Sequence, residues 1–267
     1  MIINKVNDLV YLTFDIFKND PIVCVHSTRQ GGVSQGCYSS MNLGFSRGDN
    51  PEKVHKNYEL FSRAIGVPLQ RLVLSSQWHH NNILQVKEKH IGMGIFRDRD
   101  FHDMDGLTTG VENLPLVTFY ADCVPIYFYD PVQRKVAMTH AGWRGTSTGI
   151  VKDLIDKWLS EGSHVKDIKA AIGPAVCKSC YEVTAEVIEA MPYDFTNQYY
   201  DYYPDKDRYH IDLKGINKEI LMACGVENIE VTDYCTKCSS DLFFSHRREG
   251  NDRGTQIGLM MLRGQNE

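Results

Sequence analysis

The chain has 267 residues, with 29 Lys plus Arg against 34 Asp plus Glu and a formal net charge of −5. Apolar residues make up 42% and charged residues 24%, which fills a core and excludes a disordered chain. A pI of about 6.1 argues against a dedicated nucleic-acid binder, and the longest uncharged apolar run, Cys123 to Tyr129, falls far short of the ~20 residues of a membrane span.

In chain order, β-branched and aromatic runs predict strands at Leu9–Phe14 and Ile22–His26. A helix is expected over Asn50–Ile65. Asn50 can cap it, Pro51 suits its first turn, and Val54, Tyr58, Phe61 and Ile65 fall on one face. Further strands are expected at Leu72–Ser75, Leu114–Tyr120, Val124–Tyr129 and Val136–His140. Further helices are expected from about Thr148 to Leu159, from Thr184 to Met191 before Pro192, and from Asp212 to Cys224 with Gly225 closing the last. The stretch 193–209 holds six of the fourteen tyrosines and reads as a long surface loop that can serve as a lid. Interleaved strands and helices, with no repeat and no linker, predict an α/β (α+β) single domain over 1–267, with mixed sheets flanked by helices.

The N-terminal MIINKVNDLVYLTF lacks a basic flank followed by a long apolar run, so no secretory leader is expected and the expected compartment is the cytosol. Eight cysteines in that setting point to thiols used for metal binding or catalysis.

Three short stretches follow predicted strands, where a rigid element presents side chains to a cleft: Gln77-Trp78-His79-His80-Asn81, Tyr120-Ala121-Asp122-Cys123 and Thr139-His140-Ala141-Gly142-Trp143-Arg144. Two His and one Cys would give zinc three protein ligands and an open fourth position, the pattern of a catalytic centre. The same atoms also suit a Cys123 nucleophile and a His140 base, with Asp122 or Asp105 orienting the imidazole. Two C-x-x-C pairs, Cys177/Cys180 and Cys235/Cys238, are separated by the 54 residues 181–234. The usual gap in a four-cysteine zinc site is about 15–20 residues, so this spacing argues for reduced thiols instead. Arg29 beside Gly31-Gly32, Arg144 in a strand-to-helix turn, and Arg247-Arg248 with Arg253 near are candidate anion contacts. P-loop and G-x-G-x-x-G patterns are absent, which removes an ATPase or Rossmann reading.

Taken together, the ordered motifs resemble the YfiH-like family, long described as multicopper polyphenol oxidase or laccase-domain proteins and now as purine nucleoside phosphorylases with adenosine deaminase activity. The motifs are Thr28-Arg29-x-Gly31-Gly32, Met41-Asn42-Leu43-Gly44, Gln77-x-His79, Asp105-Gly106-Leu107-x-Thr109, Ala121-Asp122-Cys123, His140 to Gly145, Ile172-Gly173-Pro174, Tyr181-Glu182-Val183, Cys235-Thr236 and Phe243-Phe244-Ser245-x-Arg247-Arg248. The resemblance implies an α/β fold likened to the deamidase domain of a bacterial cytotoxin. It implies zinc on His79, Cys123 and His140, with His80 standing where the family usually has Gly. It places the family's activity-linked Arg on Arg29. It further implies phosphorolysis of adenosine or inosine, and of methylthioadenosine, with deamination of adenosine as a second activity. Arg29, Asn42, Arg144 and Arg248 would then bind substrate and phosphate, and Asp105 or Asp122 would move protons. Copper binds His and Cys tightly, so copper uptake in vitro is expected. A multicopper oxidase needs many His, typically as His-x-His pairs. Ten His with no such pair argue against laccase activity. A metal-free cysteine hydrolase built on Cys123 and His140 is the competing expectation, and a binding module with a structural metal is a third.

Overall fold

The strand Val124–Asp130 is buried at all seven residues, and its two faces serve different interiors. Val124, Ile126 and Phe128 alternate with Tyr127 and Tyr129, as the period of two requires. The first set packs into one apolar cluster and the second into another. A run this uniformly apolar needs cover on both sides, and the computed structural model supplies it. The structure describes residues 1–192 and 198–264.

Two six-stranded mixed sheets lie face to face. The first runs in the order Ile2–Val6, Leu9–Thr13, Ile22–Ser27, Gln256–Leu262, Leu116–Tyr120 and Val73–Leu74. The second runs Asn228–Val231, Lys169–Ile172, Val124–Asp130, Lys135–Ala141, Gly106–Thr109 and Ile83–Gln85. Phe14, Cys24, Leu116, Tyr127, Tyr129, Met138 and Met260 fill the space between them. Helix α1 (Pro51–Ile65) covers the outer face of the first sheet with Val54, Tyr58, Phe61 and Ile65. Asn50 Oδ1 accepts from the Glu52 amide, and Gly66 at φ 68° ends the helix. Helix α2 (Trp143–Thr148) leads into α3 (Ile150–Ser160), and the short α4 (Ala185–Glu189) precedes α5 (Leu213–Ala223). Helices α3 and α5 cover the second sheet through Leu154, Ile155, Trp158, Ile216 and Leu221. The layers are therefore helix, sheet, sheet, helix, an α/β architecture with mixed sheets between helices.

Six expected strands stand within two residues at each end. The helix expected from about Thr148 to Leu159 stands as α3, and a further short helix precedes it: α2 begins at Trp143 and stops at Gly149, which sits at φ 90°, and α3 starts directly after it. A left-handed residue breaks the helical hydrogen-bond ladder, and glycine takes that conformation without strain. The expected loop over 193–209 is also revised. Positions 193–197 lie outside the described residues, but Tyr200–Tyr203 and Arg208–Ile211 pair as an antiparallel hairpin. Its tyrosines hold it together across the ladder, with ring centroids 5.6 Å apart for Tyr200–Tyr209 and 4.7 Å for Tyr202–Tyr209. Among the described residues no helix is long and apolar enough to cross a membrane.

The Asn50 cap gives a direct check on the α1 boundary. Asn50→Ala should lower unfolding stability by roughly 1 kcal/mol, and Asn50→Ser should retain most of it, both read from urea midpoints at unchanged slope.

Candidate active site

The register of the second sheet brings two chemical residues together before any ligand is considered. Cys123 directly precedes Val124–Asp130, and His140 lies one residue from the end of Lys135–Ala141. These strands pair with Val124 opposite Ala141 and Pro125 opposite His140. The neighbouring strand Gly106–Thr109 begins just after Asp105, so Asp105 flanks His140 on its other side. The His140 amide donates to the Asp105 carbonyl at 2.8 Å, and His140 Nδ1 bonds Asp105 Oδ1 at 2.7 Å.

Asp105 is fully buried and does more than orient His140. Its carboxylate also accepts the amides of Trp78, His79 and His80 at 2.8, 3.0 and 3.1 Å. One side chain thereby shapes the loop that carries His79 at φ 66°. Gln77 anchors the start of that loop. It accepts the Phe119 amide at 2.7 Å and donates to the Phe119 carbonyl at 2.9 Å, as a strand neighbour would. The ligand atoms of His79, Cys123 and His140 lie within 4.8 Å of one another. His80 turns away, with Nδ1 2.7 Å from Asp103 Oδ1. Gly142 closes the floor: a Cβ there would stand 3.2 Å from both Cys123 Sγ and His79 Cδ2.

The donor set fits a catalytic zinc ion. Two imidazoles and a thiol face one another, and the Asp105 contact occupies Nδ1 of His140 and leaves Nε2 for the metal side. The charges are prepared as well. Burial alone would raise the Cys123 thiol, but His140 and His79 outweigh it and hold the pKa at about 6. Burial alone would lower His140, but Cys123 and Asp105 raise it to about 9. The two shifts are one attraction seen from each partner: a thiolate beside an imidazolium. Burial would also raise Asp105, yet the His140 contact and the Trp78 and His80 amides hold it below the ordinary carboxylate value.

The triad stands on a saddle between two cavities of about 410 and 300 Å³, which share Arg47, His79, Ala121, Cys123 and Arg253. Phe45, Trp78 and Arg99 line the first. Trp143, Arg144, Tyr181 and Arg247 line the second. Arg253 is 5% exposed, and its Nε has no hydrogen-bond partner. Burial and the neighbouring Arg47 charge lower its pKa to about 10, so it stays cationic.

Asp122 sits beside the triad at φ 95°. Its carboxylate accepts the Thr236 hydroxyl and the Arg247 amide, both at 2.6 Å, which pins the C-terminal segment to the Cys123 strand end. Arg144 lines the second cavity and stacks over Trp143, its guanidinium carbon 4.1 Å from the ring centroid. Three other residues expected from the sequence are not brought to the cavities. Arg29 donates to Glu249, Ser39 and Ser240. Arg248, within the short helix α6 (His246–Glu249), donates to the carbonyls of Thr236, Lys237 and Phe243. Asn42 is buried, accepts the Gly44 and Thr255 amides and donates to Asp49. All three have their polar groups engaged by the chain itself, and none lines either cavity. Arg47 was not anticipated. It follows the Met41-Asn42-Leu43-Gly44 motif by three positions, and nothing local in the sequence joins it to Cys123.

A family profile described as multi-copper polyphenol oxidoreductase laccase matches residues 23–263. The chain belongs to this laccase-like family. Among its relatives is the purine nucleoside phosphorylase YlmD of Bacillus subtilis, 35% identical over 255 residues that cover 91% of this chain and 89% of that protein. Another is the adenosine deaminase RL5 of an unknown prokaryotic organism, 33% identical over 246 residues, covering 90% of this chain and 94% of the relative. The crystal structure of the Bacillus licheniformis hypothetical protein YfiH superimposes with a TM-score of 0.91 at 32% identity, covering 98% of this chain and 99% of that one. The expected YfiH-like fold of the laccase-like family is thus borne out.

Asp105→Asn should weaken zinc binding by roughly 10–100-fold in a competition titration, because it removes the partner that orients His140. The Glu249 carboxylate, which accepts Arg29 and the Ser245 amide, gives a pH check. Burial would raise its pKa, but the Ser245 amide and the charges of Arg248 and Arg29 hold it below the ordinary value. A lowered folded pKa adds stability above the unfolded value of about 4.3, and that stability is lost as pH falls through the folded value. Glu249→Gln should therefore cost about 1 kcal/mol at pH 7, with the gap to wild type closing in acid.

Proposed function

We propose that the chain is a zinc-dependent purine nucleoside phosphorylase, acting on adenosine, inosine or methylthioadenosine with phosphate, and that it deaminates adenosine as a second activity. The observation that carries this reading is the position of the His79–Cys123–His140 triad between two cavities, with a buried arginine facing both. The names of the relatives support it. A nucleoside spans base and ribose, and the saddle offers a wall for each.

Arg253 and Arg47 would hold the phosphate, since guanidinium groups grip oxyanions through paired donors. Arg144 and Arg247 would extend that field in the second cavity. Trp78, 65% exposed at the rim of the first cavity, and Phe45 would stack on the purine. In phosphorolysis a phosphate oxygen bonds the anomeric carbon of ribose as the bond to the base breaks. The departing purine takes the proton that phosphate gives up. Charge stabilisation and positioning by the arginines supply most of what that step needs from the protein. Zinc on the triad would supply a water of lowered pKa for attack on the purine carbon bearing the amino group, which takes up a proton from that water and leaves as ammonia. Asp105 would keep His140 oriented, and Asp122 would hold the strand end that presents Cys123. Arg29, Arg248 and Asn42 would act through the segments they fix.

Copper suits the same donors. Among the described residues, however, only one group close enough to share an ion contains His, which favours a single-ion centre over a multicopper oxidase. The Cys123–His140–Asp105 line also has the form of an activated thiol nucleophile with its base and orienting carboxylate, and this favours a metal-free cysteine hydrolase as the second reading.

Metal-quantified protein incubated with adenosine and phosphate should yield adenine and ribose 1-phosphate, with inosine from the second activity. Stoichiometric zinc with none of these products would overturn the proposal. Chelation should abolish the zinc reaction and spare a thiolate one. Arg253→Met should raise the phosphate KM on the order of tenfold or more and leave deamination, which uses no phosphate, much less affected.

A further inference from the structure

The fold brings a second constellation together that the proposed reaction does not use. Cys177 and Cys180 follow the strand Lys169–Ile172, and Cys235 and Cys238 follow its parallel neighbour Asn228–Val231. Parallel strands deliver their following loops to the same sheet edge, so 54 residues of separation collapse to contact. Ala175 pairs with Cys235 in an isolated parallel bridge, and the Thr236 amide donates to the Ala175 carbonyl at 3.2 Å.

Each C-x-x-C pair is then folded into a tight turn. The Cys180 amide donates to the Cys177 carbonyl at 3.0 Å, and the Ser239 amide to the Cys235 carbonyl at 2.9 Å. Such turns aim both thiols of a pair to one side. The four sulfurs lie within 4.8 Å of one another, and Cys180 Sγ is 3.4 Å from Cys238 Sγ. A zinc–sulfur bond of about 2.3 Å sets the edge of a tetrahedron at about 3.8 Å, inside that range. All four are free thiols. The Cys177 amide donates to Cys235 Sγ at 3.3 Å, which ties the two pairs to each other. The Lys214 ammonium, 8% exposed, donates to the Thr232 and Tyr234 carbonyls and so fixes the chain just ahead of Cys235.

We propose that Cys177, Cys180, Cys235 and Cys238 hold a structural zinc ion, separate from the His79–Cys123–His140 centre. Four thiolates fill a tetrahedral shell and leave no open position, so this ion does no chemistry. It ties the end of one sheet strand to the start of the segment 235–249. That segment carries Thr236 and Arg247 to Asp122 and places Arg247 in the second cavity. The cross-link would therefore stiffen one wall of the substrate site from behind.

Elemental analysis of protein purified under reducing conditions tests this. Wild type should hold two zinc ions per chain. The double variant Cys180→Ser/Cys238→Ser should hold one and melt at a lower temperature. Cys123→Ser should also hold one, and combining all three changes should leave none. One zinc in wild type, unchanged by the double variant, would overturn the proposal, as would iron at the four cysteines or disulfides revealed by a deficit of titratable thiols. Where the double variant does not fold, stepwise mercurial titration of wild type decides. Four thiols should react together with release of one zinc ion, and thiols reacting without zinc release would count against the site. These readouts need no nucleoside turnover, so they stand or fall apart from the proposed reaction.

Discussion

A single buried carboxylate organises the centre. Asp105 is out of contact with water, and a bare charge there would cost several kcal/mol without partners. Three loop amides and one imidazole supply them. Because the amides belong to consecutive residues 78–80, the loop cannot relax without leaving the carboxylate unsatisfied. Two of the three triad members are thus positioned by one side chain, and the third, Cys123, is positioned by strand register. Backbone strain at His79 and Asp122 is tolerated because it is held from several directions at once.

The double sheet makes that arrangement rigid. Cys123, His140 and Asp105 stand at adjacent ends of three neighbouring strands, and those strands are packed on both faces. Such a base cannot shift by a fraction of an ångström without disturbing close-packed side chains on two sides. The first sheet contributes from across the interface, through Gln77 on Phe119 and through Arg253 just ahead of Gln256–Leu262.

Much of this was legible in the residues. The α1 boundaries followed from Asn50, Pro51 and one apolar face, and the three strand-end motifs pointed to the residues that meet. Where the sequence was mute, the reasons are physical. Gln256–Leu262 has one β-branched residue, Ile257, among Leu, Met, Gly and Gln, which carry little strand preference, although it is central in its sheet. The spacing of the cysteine pairs argues against a shared site, but spacing constrains only local folds, and here two parallel strands close the gap. Arg29, Asn42 and Arg248 sit in conspicuous motifs, yet their donors and acceptors are consumed by backbone groups that only the fold brings near. Arg47 and Arg253 are 206 positions apart and converge through the first sheet's neighbourhood, a pairing no local pattern encodes.

The three donors of the triad differ in their access to water. His140 is 4% exposed and Cys123 is half-buried, whereas His79 rides an exposed loop. Of the three donor groups, the outer imidazole alone belongs to the solvent-facing surface. The way in from water therefore lies on the His79 side, and the sulfur and the second ring stand behind it.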